Sequence, residues 1–240
     1  MLADASIAPV AALVADRARA AMLLALADGR VLPACDLALQ AGVKAPTASA
    51  HLARLVEGGL LSVERDGRHA LYRLASPEVA RALEALATLA PPRAAGSFRE
   101  GQHGRALRQA RSCYDHLAGQ VGVAITASLL AKGSLRARGP TYLLTPAGER
   151  VLRRLGVDVA GARRARRAFA RPCLDWSERR HHLAGALGAA VLDCLLAKQW
   201  LRRGRSGRAL EVAPLGWRGL RSSFDVRGLP LAPGPTGASD

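Results

Sequence analysis

The apolar spacing of the chain changes from a helical period to strict alternation near residue 60. From Ala48 to Val56, apolar residues recur every three to four positions, and this pattern ends at Gly58-Gly59. The following segment, 60–74, alternates around Asp66-Gly67, a pair favoured in tight two-residue turns because both positions accept a positive φ. The sequence therefore predicts a helix followed directly by a β-hairpin with its turn at Asp66-Gly67.

Further helical segments surround this hairpin. They are predicted at about 8–28, 33–40, 46–57 and, after the hairpin, 77–89. The order of three helices, a hairpin and a helix predicts a winged helix-turn-helix for residues 1–90. Residues 91–105, which are polar and rich in glycine and proline, are predicted to form a linker.

The rest of the chain contains an internal duplication. Residues 116–136 and 182–202 are identical at 12 of 21 positions, and an Arg-x-Cys-x-Asp motif precedes each of them. Each copy reads as a helix, a hairpin and a second helix, like half a winged helix. The predicted fold is mostly α with short β-hairpins, namely the N-terminal winged helix-turn-helix, a domain of two helix–hairpin–helix repeats (106–228, copies at about 106–160 and 166–228) and a disordered tail (229–240).

Both copies carry a Gly-x-x-Gly pattern in the central helix, at 119–122 and 185–188. A glycine inside a helix costs about 1 kcal/mol relative to alanine, so close approach of another backbone should offset it. We interpret the pattern as packing of one copy against the other.

The formal net charge of +16 comes entirely from the second part of the chain. Residues 1–90 contain nine basic and nine acidic residues, whereas residues 91–240 contain 26 and 10. A basic excess attracts polyanions, of which nucleic acid is the most common. The arginine-rich run 163–167 fits either a solvated helix face or a contact with nucleic acid.

The four cysteines are widely spaced, which excludes a disulfide scaffold and a zinc ribbon. No stretch reaches 18 apolar residues, and the N-terminus lacks the pattern of a signal peptide. We therefore expect a cytoplasmic protein with reduced thiols and no membrane partner.

Four short motifs within residues 10–90 occur in a specific combination. They are Ser49-x-His51-Leu52-x-x-Leu55, Gly59-Leu60-Leu61, Gly67-Arg68-His69 and Tyr72-x-Leu74. With this spacing the segment resembles the ArsR/SmtB family of bacterial transcriptional regulators. The resemblance implies a homodimer, formed through the first and last helices of the domain, that binds a double-stranded DNA operator. Regulation would then change the spacing of two recognition helices, which must match half-sites about 34–36 Å apart.

The candidate DNA-binding residues lie on the third helix and in the hairpin. The apolar stripe of this helix docks it on the core, which leaves small and hydroxylated side chains free to enter the major groove. Basic residues at the hairpin tip are placed to meet phosphates. The candidates are Lys44, Thr47, Ser49, His51, Arg54, Arg65, Arg68 and His69, and for His51 a structural role fits the pattern equally well.

Cys35 lies in a stretch similar to the arsenite-sensing segment of this family. A soft metalloid needs clustered thiolates, but the other two cysteine positions of that segment are Pro33 and Ala38 here. The acidic and histidine pairs expected of a metal sensor are also missing from 77–89. We therefore interpret Cys35 as a buried small hydrophobe and expect no metal sensing through the first domain.

The two Arg-x-Cys-x-Asp motifs supply the candidate ligand or redox site. If the two copies converge, their thiols and imidazoles would bind a metal ion, the one candidate cofactor, or form a thiol switch, with the arginines lowering a thiol pKa. In the alternative interpretation, Asp115 and Asp175 are helix N-caps, the latter in a capping box with Glu178, while the cysteines are buried and the arginines pair with the aspartates. The candidate residues are Cys113, His116, Cys173, His181, His182, Arg111 and Arg171.

Together these patterns predict a sequence-specific transcriptional regulator without enzymatic activity. We expect a repressor that responds to a small-molecule, metal or thiol-redox signal through residues 106–228, a domain that senses this signal or stabilises the dimer. Two alternatives stay open. The net charge favours an architectural, nucleoid-type DNA-binding protein, and Cys113 or Cys173 could serve a cysteine-dependent enzyme, although no motif supplies an oxyanion loop or an ordered Cys–His–Asp set.

Overall fold

The chain divides after Leu86 into two units, and each is described by itself. The computed structural model describes residues 5–67, 69–91, 98–204, 207–226 and 229, without side-chain detail for 69 and 98–100. In this part of the chain, no helix is long and apolar enough to cross a membrane. The predicted tail, 229–240, lies outside the described residues except for Leu229.

The first unit has the element order of a winged helix-turn-helix, so this part of the predicted fold is confirmed. Its helix α5 runs just past the unit boundary. The elements are α1 (Ala8–Ala15), α2 (Arg17–Ala25), β1 (Leu32–Pro33), α3 (Ala34–Ala41), α4 (Ala45–Glu57), β2 (Leu61–Asp66), β3 (His69–Leu74) and α5 (Pro77–Leu89). The three strands form an antiparallel sheet in the order β1-β3-β2, and β1 was missed because two residues give no periodicity.

The predicted single helix 8–28 is wrong, because Asp16 divides it into α1 and α2. The backbone of Asp16 is extended, and its carboxylate accepts a hydrogen bond from the Arg19 amide at 2.9 Å, which makes it the N-cap of α2. The Arg19 guanidinium then donates to the carbonyl oxygens of Leu13 and Ala12 at 2.7 and 2.9 Å. These bonds hold the end of α1 against the start of α2.

The predicted hairpin turn is shifted by one residue. Asp66 is paired with His69, so Asp66 belongs to the strand and not to the turn. Gly67 has a φ of +56°, which glycine adopts without steric cost. Arg68 itself lies outside the described residues.

Helix α4 is held by an apolar face and ends at a glycine. Ala48, Leu52 and Leu55 are buried, and full burial of each leucine contributes about 1.5–3 kcal/mol. Gly59, just beyond the helix, has a φ of +70°, the left-handed conformation that stops a helix. The core fixes α4 from one side and leaves its opposite side in solvent.

The second unit contains two series of elements in the same order. After α6 (Phe98–Gln109), the first series is β4 (Arg111–Cys113), β5 (His116–Ala118), α7 (Gly119–Ala131), β6 (Leu135–Arg138), β7 (Thr141–Leu144) and α8 (Pro146–Leu155). After α9 (Val159–Arg164), the second is β8 (Arg171–Leu174), β9 (His181–Ala184), α10 (Ala186–Ala197), β10 (Leu201–Arg203), β11 (Leu210–Val212) and α11 (Pro214–Phe224). Each series begins with a hairpin that the predicted helix–hairpin–helix unit lacked.

Helix α6 begins inside the segment predicted to be a linker. Gly101 and Gly104 lie in this helix, and each disfavours it by about 1 kcal/mol relative to alanine, so the local sequence gave little helical signal. Contacts between α6 and α7 supply the stabilisation of α6 that its own sequence does not provide. Residues 92–97, the rest of the predicted linker, lie outside the described residues.

The two series exchange contacts reciprocally. Helix α7 packs on β9 of the second series, and α10 packs on β5 of the first. The Leu210 amide donates to the Ala110 oxygen at 2.9 Å, and the Tyr142 amide donates to the Ala170 oxygen at 3.0 Å. Since Ala110 and Ala170 precede corresponding strands, each leading segment bonds to the second hairpin of the other series. One apolar core is shared by both.

The paired glycines allow close approach mainly to the helix's own leading segment, and Gly188 also approaches the other copy, since its Cβ would lie 3.2 Å from His116 Cβ. A Cβ on Gly122 would lie 2.4 Å from the Leu117 oxygen, and one on Gly188 would lie 2.5 Å from the Leu183 oxygen. Gly119 and Gly185 have φ values of +79° and +85° where the strand turns into the helix. The interpretation from sequence is therefore right in part: the closest backbone belongs to the helix's own leading segment, and only Gly188 also contacts the other copy.

We expect Gly122→Ala to destabilise the second unit by about 1–3 kcal/mol, because the added methyl group meets a backbone carbonyl that has no room to move. Urea unfolding, followed by circular dichroism, measures the change. Gly104→Ala on α6 is the matched control, since its Cβ would meet nothing within 4 Å, and it should be neutral or stabilising by up to about 1 kcal/mol. Equal unfolding midpoints for the two variants would contradict this account.

Candidate functional site

Two short hairpins place a cysteine directly opposite a histidine. In β4–β5, Cys113 pairs with His116, and in β8–β9, Cys173 pairs with His182. Residues opposite each other in an antiparallel pair project to the same face, with Cβ atoms about 4.5–5.5 Å apart. The tight β4–β5 turn includes Tyr114 at a φ of +58°. Each hairpin therefore presents one thiol and one imidazole side by side.

The two hairpins bring these four side chains together. One potential ligand atom from each of Cys113, His116, Cys173 and His182 lies within 4.8 Å of all the others. The two sulfur atoms are 4.0 Å apart, and the two imidazole centroids are 5.1 Å apart. Cys113 and both histidines are buried, and Cys173 is partly buried. These four side chains converge, as one of the two interpretations of the duplicated motifs required, and we name them the Cys–His cluster.

Each histidine of the cluster faces an aspartate through one ring nitrogen. His116 Nδ1 is 3.2 Å from Asp115 Oδ1, and His182 Nδ1 is 3.3 Å from Asp175 Oδ2. The two Nε2 atoms are buried and make no hydrogen bond within the described part of the chain. A carboxylate on Nδ1 fixes ring orientation and leaves Nε2 as the free ligand atom. Both histidines therefore have the arrangement of a metal-binding imidazole.

Asp175 is the centre of a wider polar network with no exposed side-chain surface. Its carboxylate accepts a hydrogen bond from the Gly119 amide, the first residue of α7, at 2.7 Å. It also lies 3.1 Å from the Arg111 guanidinium and accepts hydrogen bonds from the Ser177 amide and hydroxyl. Arg111 in turn stacks over the ring of Trp176 at 4.6 Å. Asp175 thus joins the second hairpin to the strand and helix of the first series.

The charges of this network favour ionised groups. Burial raises the pKa of the Asp175 carboxyl, but the His182 hydrogen bond and the Arg111 charge outweigh it and hold this pKa well below its usual range. The Cys113 thiol, against the cost of burial, and the two imidazoles lower the pKa of Cys173 to about 2. Burial lowers the pKa of His182, but Asp175 and Cys173 outweigh it and raise the net value. The cluster therefore favours a thiolate beside an imidazolium when no metal is bound.

The structure separates the remaining candidates from the cluster. His181 is exposed and pairs with Leu174, because alternation along β9 turns it away from His182. Arg111 forms an ion pair with Asp175. Arg171 is the strand partner of Ala184, at the end of the hairpin that lies away from the turn. For Cys173, the main causes of the lowered pKa are the other members of the cluster and not these arginines.

The alternative interpretation of the aspartates is partly right. Arg111 pairs with Asp175, but across the two series, while Asp115 pairs with Arg167. Asp175 accepts a hydrogen bond from the Glu178 amide at 3.2 Å, as in a capping box, yet this segment forms turns between two strands and no helix. Sequence reasoning missed the aspartates as partners of the histidines, although their repetition after each cysteine was the available signal.

The candidate DNA-binding residues divide by exposure. Lys44, at the N-cap of α4, is exposed, as are Thr47, Ser49 and Arg54 on α4 and Arg65 on β2. His51 is turned inward, with its Nδ1 atom 3.4 Å from the Arg19 guanidinium and 3.9 Å from the Asp16 carboxylate. Arg68 lies outside the described residues, and only the backbone of His69 is described. Exposure of one side of α4 is the geometry that a groove-reading helix requires.

The other two cysteines stand apart from the cluster. Cys35 is exposed at the start of α3, so its interpretation as a buried hydrophobe is wrong. The buried residues of α3 are Leu37 and Ala38, whereas Cys35 stays in solvent in the first turn of the helix. Cys194 is buried in the core of the second unit and donates to the Leu155 oxygen.

We expect Asp175→Asn to destabilise the second unit by about 3–5 kcal/mol, because it leaves the buried Arg111 charge without its counter-charge. Chemical denaturation measures the loss. Asp158→Asn is the control, since Asp158 is an exposed N-cap of α9 and asparagine caps a helix equally well. If Asp175→Asn is no less stable than Asp158→Asn, the ion pair does not hold the unit together.

Comparison with known proteins places the chain in a family. Residues 16–63 match the profile described as bacterial regulatory protein, arsR family. The HTH-type transcriptional regulator YdfF of Bacillus subtilis (strain 168) is 44% identical over 222 residues, which cover 92% of this chain and 98% of that protein. That match spans both units, including the segment that carries the Cys–His cluster.

Solved structures match a smaller part of the chain. Reduced HlyU from Vibrio cholerae N16961 is 26% identical and covers 35% of this chain and 88% of its own, with a TM-score of 0.32. BigR from Xylella fastidiosa is 24% identical, with coverage of 36% and 88% and a TM-score of 0.34. The AntR antimony-specific transcriptional repressor is 33% identical, with coverage of 37% and 83% and a TM-score of 0.32. On the family profile and the nearly full-length relative, the chain belongs to the ArsR family of bacterial HTH-type transcriptional regulators.

Proposed function

We propose that the protein is a DNA-binding transcriptional repressor that acts as a homodimer on a double-stranded operator. The observation that carries the regulatory role is the 44% identity to an HTH-type transcriptional regulator over 92% of the chain. The resemblance to the ArsR family implies that the protein represses transcription and does not activate it. A protein that works on chromosomal DNA acts in the bacterial cytoplasm, and we place it there.

The proposed reading surface is the exposed side of α4. Thr47 and Arg54 lie there on either side of Ala50, so the helix can enter the major groove, where the arginine donates to base edges. Lys44 and Arg65 are placed for phosphates at the edges of this surface. His51 leaves the set, because its ring supports the α1–α2 junction through Arg19 and Asp16.

The homodimer is supported by apolar surface that one chain leaves in solvent. Helix α1 has the sequence APVAALVA, and none of its residues is buried. Ile7 and Val10 are 76% and 46% exposed, and Leu86 and Leu89 on α5 are 48% and 81% exposed. An apolar helix without burial is unfavourable in a monomer, and a second copy would cover it. These are the two helices through which the family resemblance implies dimerisation.

The second unit is proposed to be a duplicated domain through which a signal enters. The two element series support duplication, as do three pairs of residues spaced 66 apart that line one small cavity: Leu117 with Leu183, Gly122 with Gly188, and Ile125 with Val191. The Cys–His cluster is the site proposed for the signal, because buried ionisable side chains with strongly shifted pKa values are typical of functional sites. A metal ion or a change in thiol redox state suits its chemistry better than another small molecule.

Two other functions are less well supported. The basic second unit would suit an architectural DNA-binding protein, but Arg163 pairs with Glu149 and Arg167 with Asp115, so part of the basic run has local partners. A cysteine-dependent enzyme would need substrate access, yet Cys113 and His116 are each 3% exposed and His182 is fully buried.

We expect Arg54→Ala to weaken binding to the DNA upstream of the protein's own gene by about 1–3 kcal/mol and to lower its preference over a scrambled duplex. Lys44→Ala should weaken binding to both duplexes equally, and it should reduce the salt dependence of binding by about one released counterion. Fluorescence anisotropy at several salt concentrations separates the two effects.

Arg150→Ala is the control for this experiment, because Arg150 is exposed on α8 and distant in sequence from the proposed reading surface on α4. It should leave the preference between the two duplexes unchanged. Wild-type protein without any preference would overturn the regulator and favour the architectural function.

We expect Val10→Glu to convert the dimer to a monomer, because a charge in the centre of an apolar interface must be desolvated without a partner. Sedimentation velocity detects the change. Leu39→Glu on α3 is the matched control, as Leu39 is 80% exposed and lies outside both proposed interface helices. A dimer that survives Val10→Glu would place the interface elsewhere.

A further inference from the structure

We propose that the Cys–His cluster is a closed, four-coordinate zinc site, with Asp115 and Asp175 as the outer carboxylates that orient its two histidines. The inference deepens the proposed role of this cluster in the second unit, and its test does not depend on DNA binding. The family resemblance offers no such site, because its metal sensors lie in the winged helix-turn-helix, where the residues needed are missing.

The first support is the donor set. Two thiols and two imidazoles form one of the common ligand sets of tetrahedral zinc, whereas magnesium and calcium require oxygen ligands. The aspartates do not enter this set, because each faces a histidine Nδ1 atom instead. Two thiolates would also neutralise the charge of a divalent cation, which suits a buried site.

The second support is the pair of unpartnered nitrogen atoms. His116 Nε2 and His182 Nε2 are buried and make no hydrogen bond within the described residues. Leaving a buried polar atom unpaired costs about 1–3 kcal/mol, so two such atoms beside two thiols need an explanation. A shared ligand satisfies both at once, which core packing alone does not.

The third support is the distance between the ligand atoms. All four lie within 4.8 Å of one another, and the two sulfur atoms are 4.0 Å apart. Zinc bond lengths give a tetrahedron with edges of about 3.3–3.8 Å. The largest separation between ligand atoms exceeds these edges by about 1–1.5 Å, so the four side chains need only a small inward shift to bind zinc.

The fourth support is the outer carboxylates. A carboxylate on the second nitrogen of a ligating histidine fixes its ring and tautomer and increases its basicity as a ligand. Asp115 and Asp175 occupy this place for His116 and His182. Because the chain supplies four ligands and leaves no open coordination position, the site fits structural zinc better than catalytic zinc. Bound zinc would fasten the β4–β5 hairpin to the β8–β9 hairpin.

The experiment measures metal content and coordination in the full-length protein, purified under reducing conditions and supplied with zinc sulfate before desalting. Elemental analysis should find about one zinc per chain in wild type and an at least tenfold loss in Cys113→Ser and in Cys173→Ser. Cys35→Ser and Cys194→Ala are the matched controls, because these cysteines lie outside the cluster, and both should retain zinc. X-ray absorption of the zinc-loaded protein should show two sulfur and two nitrogen neighbours.

His116→Cys tests the site without removing a ligand, in case the serine variants do not fold. It should keep zinc, and the cobalt-substituted variant should gain thiolate charge-transfer intensity over cobalt-substituted wild type. Zinc content below one-tenth per chain in wild type, retention of zinc by both serine variants, or a stoichiometric metal other than zinc would each overturn the proposal. A coordination shell of oxygen and nitrogen alone would overturn it too.

DNA binding of the same preparations separates this inference from the proposed function. Zinc-loaded protein that shows no operator preference overturns the regulator and leaves the zinc site standing. Zinc-free protein that prefers the operator, together with failed zinc reconstitution, overturns the zinc site and leaves the regulator standing.

Discussion

The buried ion pair between Arg111 and Asp175 is the interaction on which the second unit depends. Neither side chain has exposed surface, so each charge relies on the other and on the hydrogen bonds around it. Asp175 also accepts the Gly119 amide at the start of α7, where the helix dipole favours a negative charge. One carboxylate thus joins a strand and a helix of the first series to the hairpin of the second, and it orients His182 at the same time.

The glycines that connect hairpin and helix allow this arrangement. Gly119 and Gly185 adopt positive φ values at the start of α7 and α10, and Gly122 and Gly188 lie against the carbonyl groups of the preceding strands. Each helix therefore folds tightly onto its own hairpin, and the two hairpins meet between the helices. The Cys–His cluster is formed at this meeting point, so its geometry is tied to the core of the whole unit.

The different roles proposed for the two units agree with the distribution of charge along the chain. The winged helix-turn-helix has no net charge over residues 1–90, and the surface proposed to read bases consists of a few exposed side chains on α4. The second unit has the basic excess, which acts over longer distances, and the buried cluster, which is shielded from solvent. The proposed DNA-binding unit, which lacks the metal ligands expected of a sensor, is thus linked to a second unit that has the chemistry of a metal site.

Sequence alone determined the features that rest on local periodicity and on repeated motifs. The winged helix-turn-helix follows from a change of apolar period, and the internal similarity identified Cys113 and Cys173 as residues to compare. Local patterns could not determine what distant segments supply. Asp16 breaks the first helix because its carboxylate caps the next one, and α6 forms in a glycine-containing segment because α7 packs on it.

The tertiary structure alone decided which side chains form the site. His181 and His182 are adjacent in sequence, but strand alternation sends one to solvent and the other into the cluster. Arg111 pairs with the aspartate of the other series, a choice that no spacing within one motif can specify. Cys35, predicted to be buried, is exposed, because only Leu37 and Ala38 of α3 are packed into the core. The sequence determines which residues can react, whereas the register of two hairpins determines which of them meet.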